Sequence, residues 1–199
     1  MNNLHSLYNE SFFYRRKNLL WRAPILCDII KRVFPNMISV IDVGCAIGEF
    51  VQEFQNMGMV AMGIEGSTSA KKYFLPDIHV SLWDMRQMLP PSKVNFYDLC
   101  MCLEVAEHIE EEYSDIFVNN LCSLSKTVLI SAAVPGQQGH GHFNCQPNEY
   151  WEIKFGIRKY KRNCDKENQF RQLLEKYKTK KGLNAYYSNT MIYEKKIGF

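Results

Sequence analysis

The stretch VIDVGCAIGEF, Val40 to Phe50, decides the fold. Its first half is a short apolar run broken by Asp42 and ending at Gly44. Its second half opens a helical pattern in which Phe50, Val51 and Phe54 share one face. A buried strand passing through a turn of small residues into a helix is the ligand-holding unit of α/β sheets. Small residues at Gly44, Ala46 and Gly48 let a ligand approach the backbone. A dinucleotide turn would place glycine at positions 44, 46 and 49. Here those positions are Gly44, Ala46 and Glu49. An acid at a helix start is a poor neighbour for a pyrophosphate, which needs bare N–H groups and positive potential.

Working outward, strands and helices alternate. A helix is expected over PILCDIIKRVF (24–34), with Pro24 in its first turn and the residues before it forming an N-terminal cap. MVAMGIE (59–65) reads as a strand, STSAKKYF (67–74) as a short helix and IHVSL (78–82) as a strand. FYDLCMCLEV (96–105) is a strand with a near-continuous apolar interior. A helix over 109–124 carries Ile109, Tyr113, Ile116, Phe117 and Leu121 on one stripe, and TVLISAAV (127–134) is another buried strand. Such alternation predicts a parallel sheet covered on both faces. After Pro135 come a Gly-, His- and Gln-rich loop, a mixed segment over 150–163, a helix over 165–177 and a strand over 183–196. The last helix and strand are expected to add antiparallel pairing at the sheet edge.

The chain has 199 residues, 46% hydrophobic and 23% charged, with a formal net charge of +3. That length and composition fit one globular domain. The charge is too mild to argue for nucleic acid. No apolar run reaches the length of a membrane span, and no signal peptide is expected at the N-terminus. The seven cysteines form no CxxC pair. Cys100 and Cys102 sit within an expected buried strand, where Cys acts as a small hydrophobe. A reducing, cytoplasmic setting is expected.

Asp42 beside a turn of small residues suits a cofactor with a cationic sulfonium and an ammonium group better than a diphosphate. VIDVGCAIGEF resembles motif I of the class I S-adenosylmethionine-dependent methyltransferases, and later stretches match that family in order. The resemblance covers roughly residues 37–136. It implies a Rossmann-like α/β sandwich: a mainly parallel seven-stranded sheet with an antiparallel C-terminal strand. It implies one domain over 1–199, with an N-terminal cap and helix (1–36), a cofactor-binding core (37–136), and an acceptor loop with C-terminal strands (137–199). The cofactor is then S-adenosylmethionine, leaving as S-adenosylhomocysteine. Asp42, Gly44, Cys45, Ala46 and Gly48 form its first contact. Glu65 and Gly66 hold the ribose, Asp84 and Met85 the adenine, and Leu103 and Glu104 follow the fourth strand. Ala46 departs from the family's glycine and is expected to fit without a positive φ.

Methyl transfer to an alcohol needs a base, and an amine reacts once neutral. LEVAEH after the fourth strand lacks the Asn/Asp-Pro-Pro-aromatic motif of DNA amino-group methyltransferases. His108 is the first candidate base, with Glu104 and Glu107 to orient it or hold the cofactor; His140 and His142 are in reserve. The alternative for His108 is a helix cap. The loop PGQQGHGHFNCQPNEYW (135–151) offers His140, His142, Asn144, Gln146, Tyr150 and Trp151 to a polar acceptor. His140, His142 and Cys145 have a metal-like local spacing, but no fourth ligand stands nearby, so no metal is expected. The loop resembles one in small class I methyltransferases of phages and large viruses, among them chlorovirus glycan-synthesising, glycosyltransferase-linked enzymes. That narrower resemblance implies O-methylation of a sugar hydroxyl, for instance of a deoxysugar such as rhamnose, in the host cytoplasm. A quinone-type or other small metabolite, or a cofactor-binding module without turnover, stays open.

Overall fold

The computed structural model describes residues 7–90 and 97–196. Seven strands form one sheet: β1 (Ser39–Val43), β2 (Val60–Glu65), β3 (Val80–Leu82), β4 (Leu99–Leu103), β5 (Thr127–Ser131), β6 (Tyr160–Arg162) and β7 (Thr190–Lys195). Their order is β3-β2-β1-β4-β5-β7-β6. The pairings from β3 to β5 are parallel, and β7 is antiparallel to both β5 and β6. The Rossmann-like, mainly parallel seven-stranded sheet expected from the sequence is therefore present, with its reversed C-terminal strand inserted next to the edge.

Among the described residues seven α-helices pack around it: α1 (Glu10–Arg16), α2 (Arg22–Val33), α3 (Glu49–Asn56), α4 (Ser114–Leu124), α5 (Asn148–Ile157), α6 (Cys164–Leu174) and α7 (Asn184–Asn189). Alternate strand residues feed two cores. Val40, Leu99 and Met101 pack with Leu26, Phe54 and Phe170 of α2, α3 and α6. Ile41, Cys100 and Cys102 pack with Phe117, Trp151 and Phe155 of α4 and α5. All five residues of β4 are buried, which is why its sequence reads as continuously apolar.

Three expected elements differ. The helix expected over 109–124 begins only at Ser114, after a 3-10 turn over Glu111–Tyr113. Glu110 is extended there and its carboxylate meets Arg86. The strand expected over 183–196 is helical until Asn189. Tyr186 faces α2, where Arg22 donates to its hydroxyl at 3.0 Å, and this tertiary contact overrides the strand preference of two tyrosines. The mixed segment over 150–163 resolves into most of α5 and the edge strand β6. Phe96, the first residue of the expected fourth strand, lies outside the described residues, as do Met1–Ser6 of the N-terminal cap.

Candidate active site

The carboxyl ends of β1, β2 and β4 open onto a cavity roofed by α1. It encloses about 740 Å³, open solvent at its mouth included. Its floor is the β1–α3 turn. Gly44 has φ +76°, and a Cβ there would lie 2.4 Å from Val105 Cγ2, so only glycine fits. Ala46 also has a positive φ, 51°, contrary to the sequence expectation. That conformation aims the Ala46 amide at Glu65 Oε2, 3.0 Å away. The Ser67 amide donates to Glu65 Oε1 at 2.7 Å. Two amides thus hold the Glu65 carboxyl at the cavity wall. Burial nevertheless pushes its pKa up to about 7.

The turn's amides are mostly engaged within the protein. Gly44 and Cys45 donate to the Ile64 carbonyl, Ala46 to Glu65, and Gly48 to the Cys45 carbonyl. This leaves no open nest for a pyrophosphate. The exclusion therefore does not come from Glu49, as its place at the helix start led one to expect. Glu49 is buried, and Arg16 and Arg22 both donate to its Oε1 at 2.9 Å. Its charge is neutralised and does not face a ligand.

Of the residues expected at the cofactor, Gly44, Ala46, Glu65, Gly66, Asp84, Met85, Leu103 and Glu104 line the cavity. Asp42, Cys45 and Gly48 do not, because each supports the turn from behind. Asp42 is 3% exposed, and burial, then the Glu49 charge, hold its carboxyl well above the usual range. Cys45 packs against β2, with its Sγ where a Cβ on Gly63 would stand. Gly48 caps α3 with φ +84°. Asp84 is bound by Arg86, through Nη2 at 2.7 Å and Nε at 3.0 Å, and Arg86 also reaches Glu110. The sequence reading missed Tyr8, Phe12 and Arg16, which α1 and the turn before it bring over the cavity, and Trp83 beside Asp84. The aromatic and basic run YNESFFYRR, next to no other element in sequence, was the available signal.

At the far side stands His108, in the 3-10 turn Ala106–His108 after β4. Its Nδ1 lies 2.8 Å from the Gly141 carbonyl. A carbonyl only accepts, so Nδ1 carries the proton and Nε2 the lone pair. Burial pushes the imidazole down to about 4, so it is neutral at neutral pH. Glu104, also left-handed at φ 55°, accepts from Asn189 Nδ2 at 3.3 Å, and burial raises its carboxyl.

The 135–151 loop is arranged differently from the sequence reading. Trp151 is fully buried in the core with its ring edge-on to Phe117, so it cannot meet an acceptor. Tyr150 shares a hydrogen bond with Ser114 Oγ at 2.8 Å, away from the cavity. Asn144 is buried and accepts from Gln146 Nε2 at 2.8 Å, so these two amides engage each other. His140 is exposed and its Nε2 reaches the Leu7 carbonyl. His142 packs edge-on to the His108 ring, with centroids 5.0 Å apart. The local trio of His140, His142 and Cys145 does not converge on a metal geometry: Cys145 Sγ meets His142 at Nδ1, the nitrogen that donates to the Gln137 carbonyl.

No family model and no curated protein matches this sequence. Solved structures do match its fold. An amino pentose methyltransferase from Micromonospora echinaspora, solved with S-adenosylmethionine, superposes with a TM-score of 0.65 at 12% identity, over 88% of this chain and 90% of that one. A SAM-dependent methyltransferase from Archaeoglobus fulgidus matches at TM-score 0.59 and 18% identity, over 97% of this chain and 100% of that one. A sugar N-methyltransferase from Streptoalloteichus matches at TM-score 0.58 and 16% identity, over 77% and 85%. The chain has the Rossmann-like fold of these S-adenosylmethionine-dependent methyltransferases.

Proposed function

We propose that this protein is an S-adenosylmethionine-dependent methyltransferase acting on a hydroxyl of a sugar-type acceptor. The observation that carries the reading is the cavity at the ends of β1, β2 and β4. It joins a turn whose amides are mostly engaged within the protein, a buried carboxylate and a neutral imidazole. Glu65 accepts from the two ribose hydroxyls, and Trp83, Asp84 and Met85 border the adenine. Arg16, at the roof, offers its guanidinium to the cofactor's carboxylate. The acceptor enters on the His108 side, where Tyr8 and Phe12 replace Tyr150 and Trp151 as rings for a sugar face.

S-adenosylmethionine, held by these residues, would supply an electrophilic methyl group to the acceptor oxygen and leave as S-adenosylhomocysteine, keeping the bonding pair on sulfur. The cavity aligns the two partners and excludes water. His108 Nε2 takes the proton that the acceptor hydroxyl loses as its oxygen is methylated. The resemblance of the loop to viral, glycosyltransferase-linked enzymes supports a glycan acceptor. A second reading, methylation of an amino sugar, is favoured by the two neighbours described as an amino pentose and a sugar N-methyltransferase.

Labelled S-adenosylmethionine supplied with sugars, amino sugars and quinones tests the reading. Label is expected in a sugar, and His108→Ala is expected to lower that turnover by about 10²-fold or more with cofactor affinity unchanged. Label in the quinones alone, or a normal rate in His108→Ala, overturns it.

A further inference from the structure

Glu107, next to His108 in the 3-10 turn, has no role in the reaction described so far. Its side chain is fully buried, and neither carboxylate oxygen has a hydrogen-bond partner. Its own amide and that of Ala133 face the carboxylate without reaching bonding geometry. A buried carboxyl left this way stays protonated unless a cation compensates its charge. The group facing it is His142, whose Nε2 lies 4.0 Å from Glu107 Oε1. His142 Nδ1 faces the Gln137 carbonyl at 3.1 Å and therefore carries the proton, leaving the lone pair on Nε2. His108 repeats the arrangement, with Nδ1 on the Gly141 carbonyl.

Two imidazoles thus have their N–H groups fixed by backbone carbonyls and their lone pairs uncommitted. That is the outer arrangement found behind metal-binding histidines. One ligand atom from each of Glu107, His108 and His142 lies within 4.8 Å of the others. An ion holds such ligands at about 2.0–2.2 Å, which sets neighbouring ligand atoms about 3.0–3.5 Å apart. Side-chain shifts of about 1 Å close the set. The loop is already tied to the turn, because the Phe143 and Asn144 amides both donate to the Glu107 carbonyl.

We infer that Glu107, His108 and His142 form a binding site for a first-row divalent metal ion at the acceptor end of the cavity. Two neutral imidazoles and one carboxylate favour a transition-metal ion such as Mn²⁺, Fe²⁺, Co²⁺ or Zn²⁺ over Mg²⁺ or Ca²⁺. Three protein ligands leave positions open on the side where His108 lines the cavity. Resting on the methyltransferase reading, the ion's further ligand is the acceptor's oxygen; with the ion bound, the His108 Nε2 lone pair goes to the metal instead of acting as a free base, and the ion would acidify the acceptor hydroxyl so that its proton is lost to water.

The test uses the tag-free chain, stripped with EDTA and titrated with Co²⁺, followed by calorimetry and by the d–d absorption of the bound ion. One ion per chain is expected. Glu107→Gln, which keeps the side-chain volume, and His142→Gln are each expected to weaken binding by at least about 100-fold. His140→Ala and Cys145→Ser are expected to leave it unchanged. Circular dichroism and thermal melts establish that each variant folds. No saturable binding below about 1 mM, or binding that survives both Glu107→Gln and His142→Gln, overturns the site. A parallel titration with S-adenosylhomocysteine in EDTA separates the two readings. If the nucleoside binds and Co²⁺ does not, only the metal site falls. If Co²⁺ binds and the nucleoside does not, the methyltransferase reading falls and the site stands.

Discussion

Cofactor affinity should depend on pH through one carboxyl group, Glu65. In the free protein burial raises its pKa to about 7, and the Ala46 and Ser67 amides offset only part of that. Ribose hydroxyls donate to a carboxylate and favour its charged form. Binding below about pH 7 must therefore release a proton. Glu65 is about one-tenth ionised at about pH 6 and about nine-tenths at about pH 8. Affinity for S-adenosylhomocysteine should then rise about tenfold over that range, or about 1.4 kcal/mol, and level off above it. The stability of the free protein moves the other way. A carboxyl whose folded value lies above its unfolded value contributes stability at low pH, and this is lost as pH rises through about 7. Calorimetry in two buffers of different ionisation enthalpy measures the released proton directly. Glu65→Gln should abolish the slope as well as weaken binding. An affinity that stays flat across this range with no proton released, or a slope that survives in Glu65→Gln, refutes the assignment of Glu65 to the ribose.

Other consequences follow from the same geometry. Arg22→Met leaves Glu49 buried with Arg16 as its remaining partner and should cost about 3 kcal/mol in urea unfolding; a loss below about 0.5 kcal/mol would mean the pair does not hold α2 to α3. Ala46→Val puts a β-branched residue at φ 51° on the cavity floor and should cost about 1–3 kcal/mol and block cofactor binding, whereas Ala46→Gly should do neither. Equal melting temperatures for the two variants would contradict the left-handed turn. Trp83→Ala should weaken S-adenosylhomocysteine binding by about 1–2 kcal/mol in a protein that circular dichroism shows to be folded, read by the same calorimetry.

The sequence was most legible where one local pattern had one structural solution. LCMCL can only be a strand buried on both faces, and all five residues are. A small-residue turn after a buried strand marked the cavity floor, and Glu65 and His108 reached the cavity as the strand ends required. What stayed hidden depended on partners distant in the chain. Arg16 and Arg22 neutralise Glu49 from 33 and 27 residues away, so its charge looked available when it was not. The short spacing of His140, His142 and Cys145 suggested a local set, yet the backbone ties His142 to the 106–108 turn instead. Trp151 and Tyr150 looked like acceptor rings because their segment showed no clear period, and in α5 they face the core and Ser114. The aromatic residues before Pro24 had no neighbour in sequence that would reveal the cavity they cover.

The central claim is that the cavity over Gly44, Ala46 and Glu65 holds S-adenosylmethionine. Titration of the purified chain with S-adenosylhomocysteine and, separately, with NAD⁺ tests it most directly. The account predicts saturable one-to-one binding of S-adenosylhomocysteine, at least about 100-fold tighter than any binding of NAD⁺, a difference of about 2.7 kcal/mol. NAD⁺ binding tighter than S-adenosylhomocysteine, or no binding of S-adenosylhomocysteine to the folded protein, would contradict it.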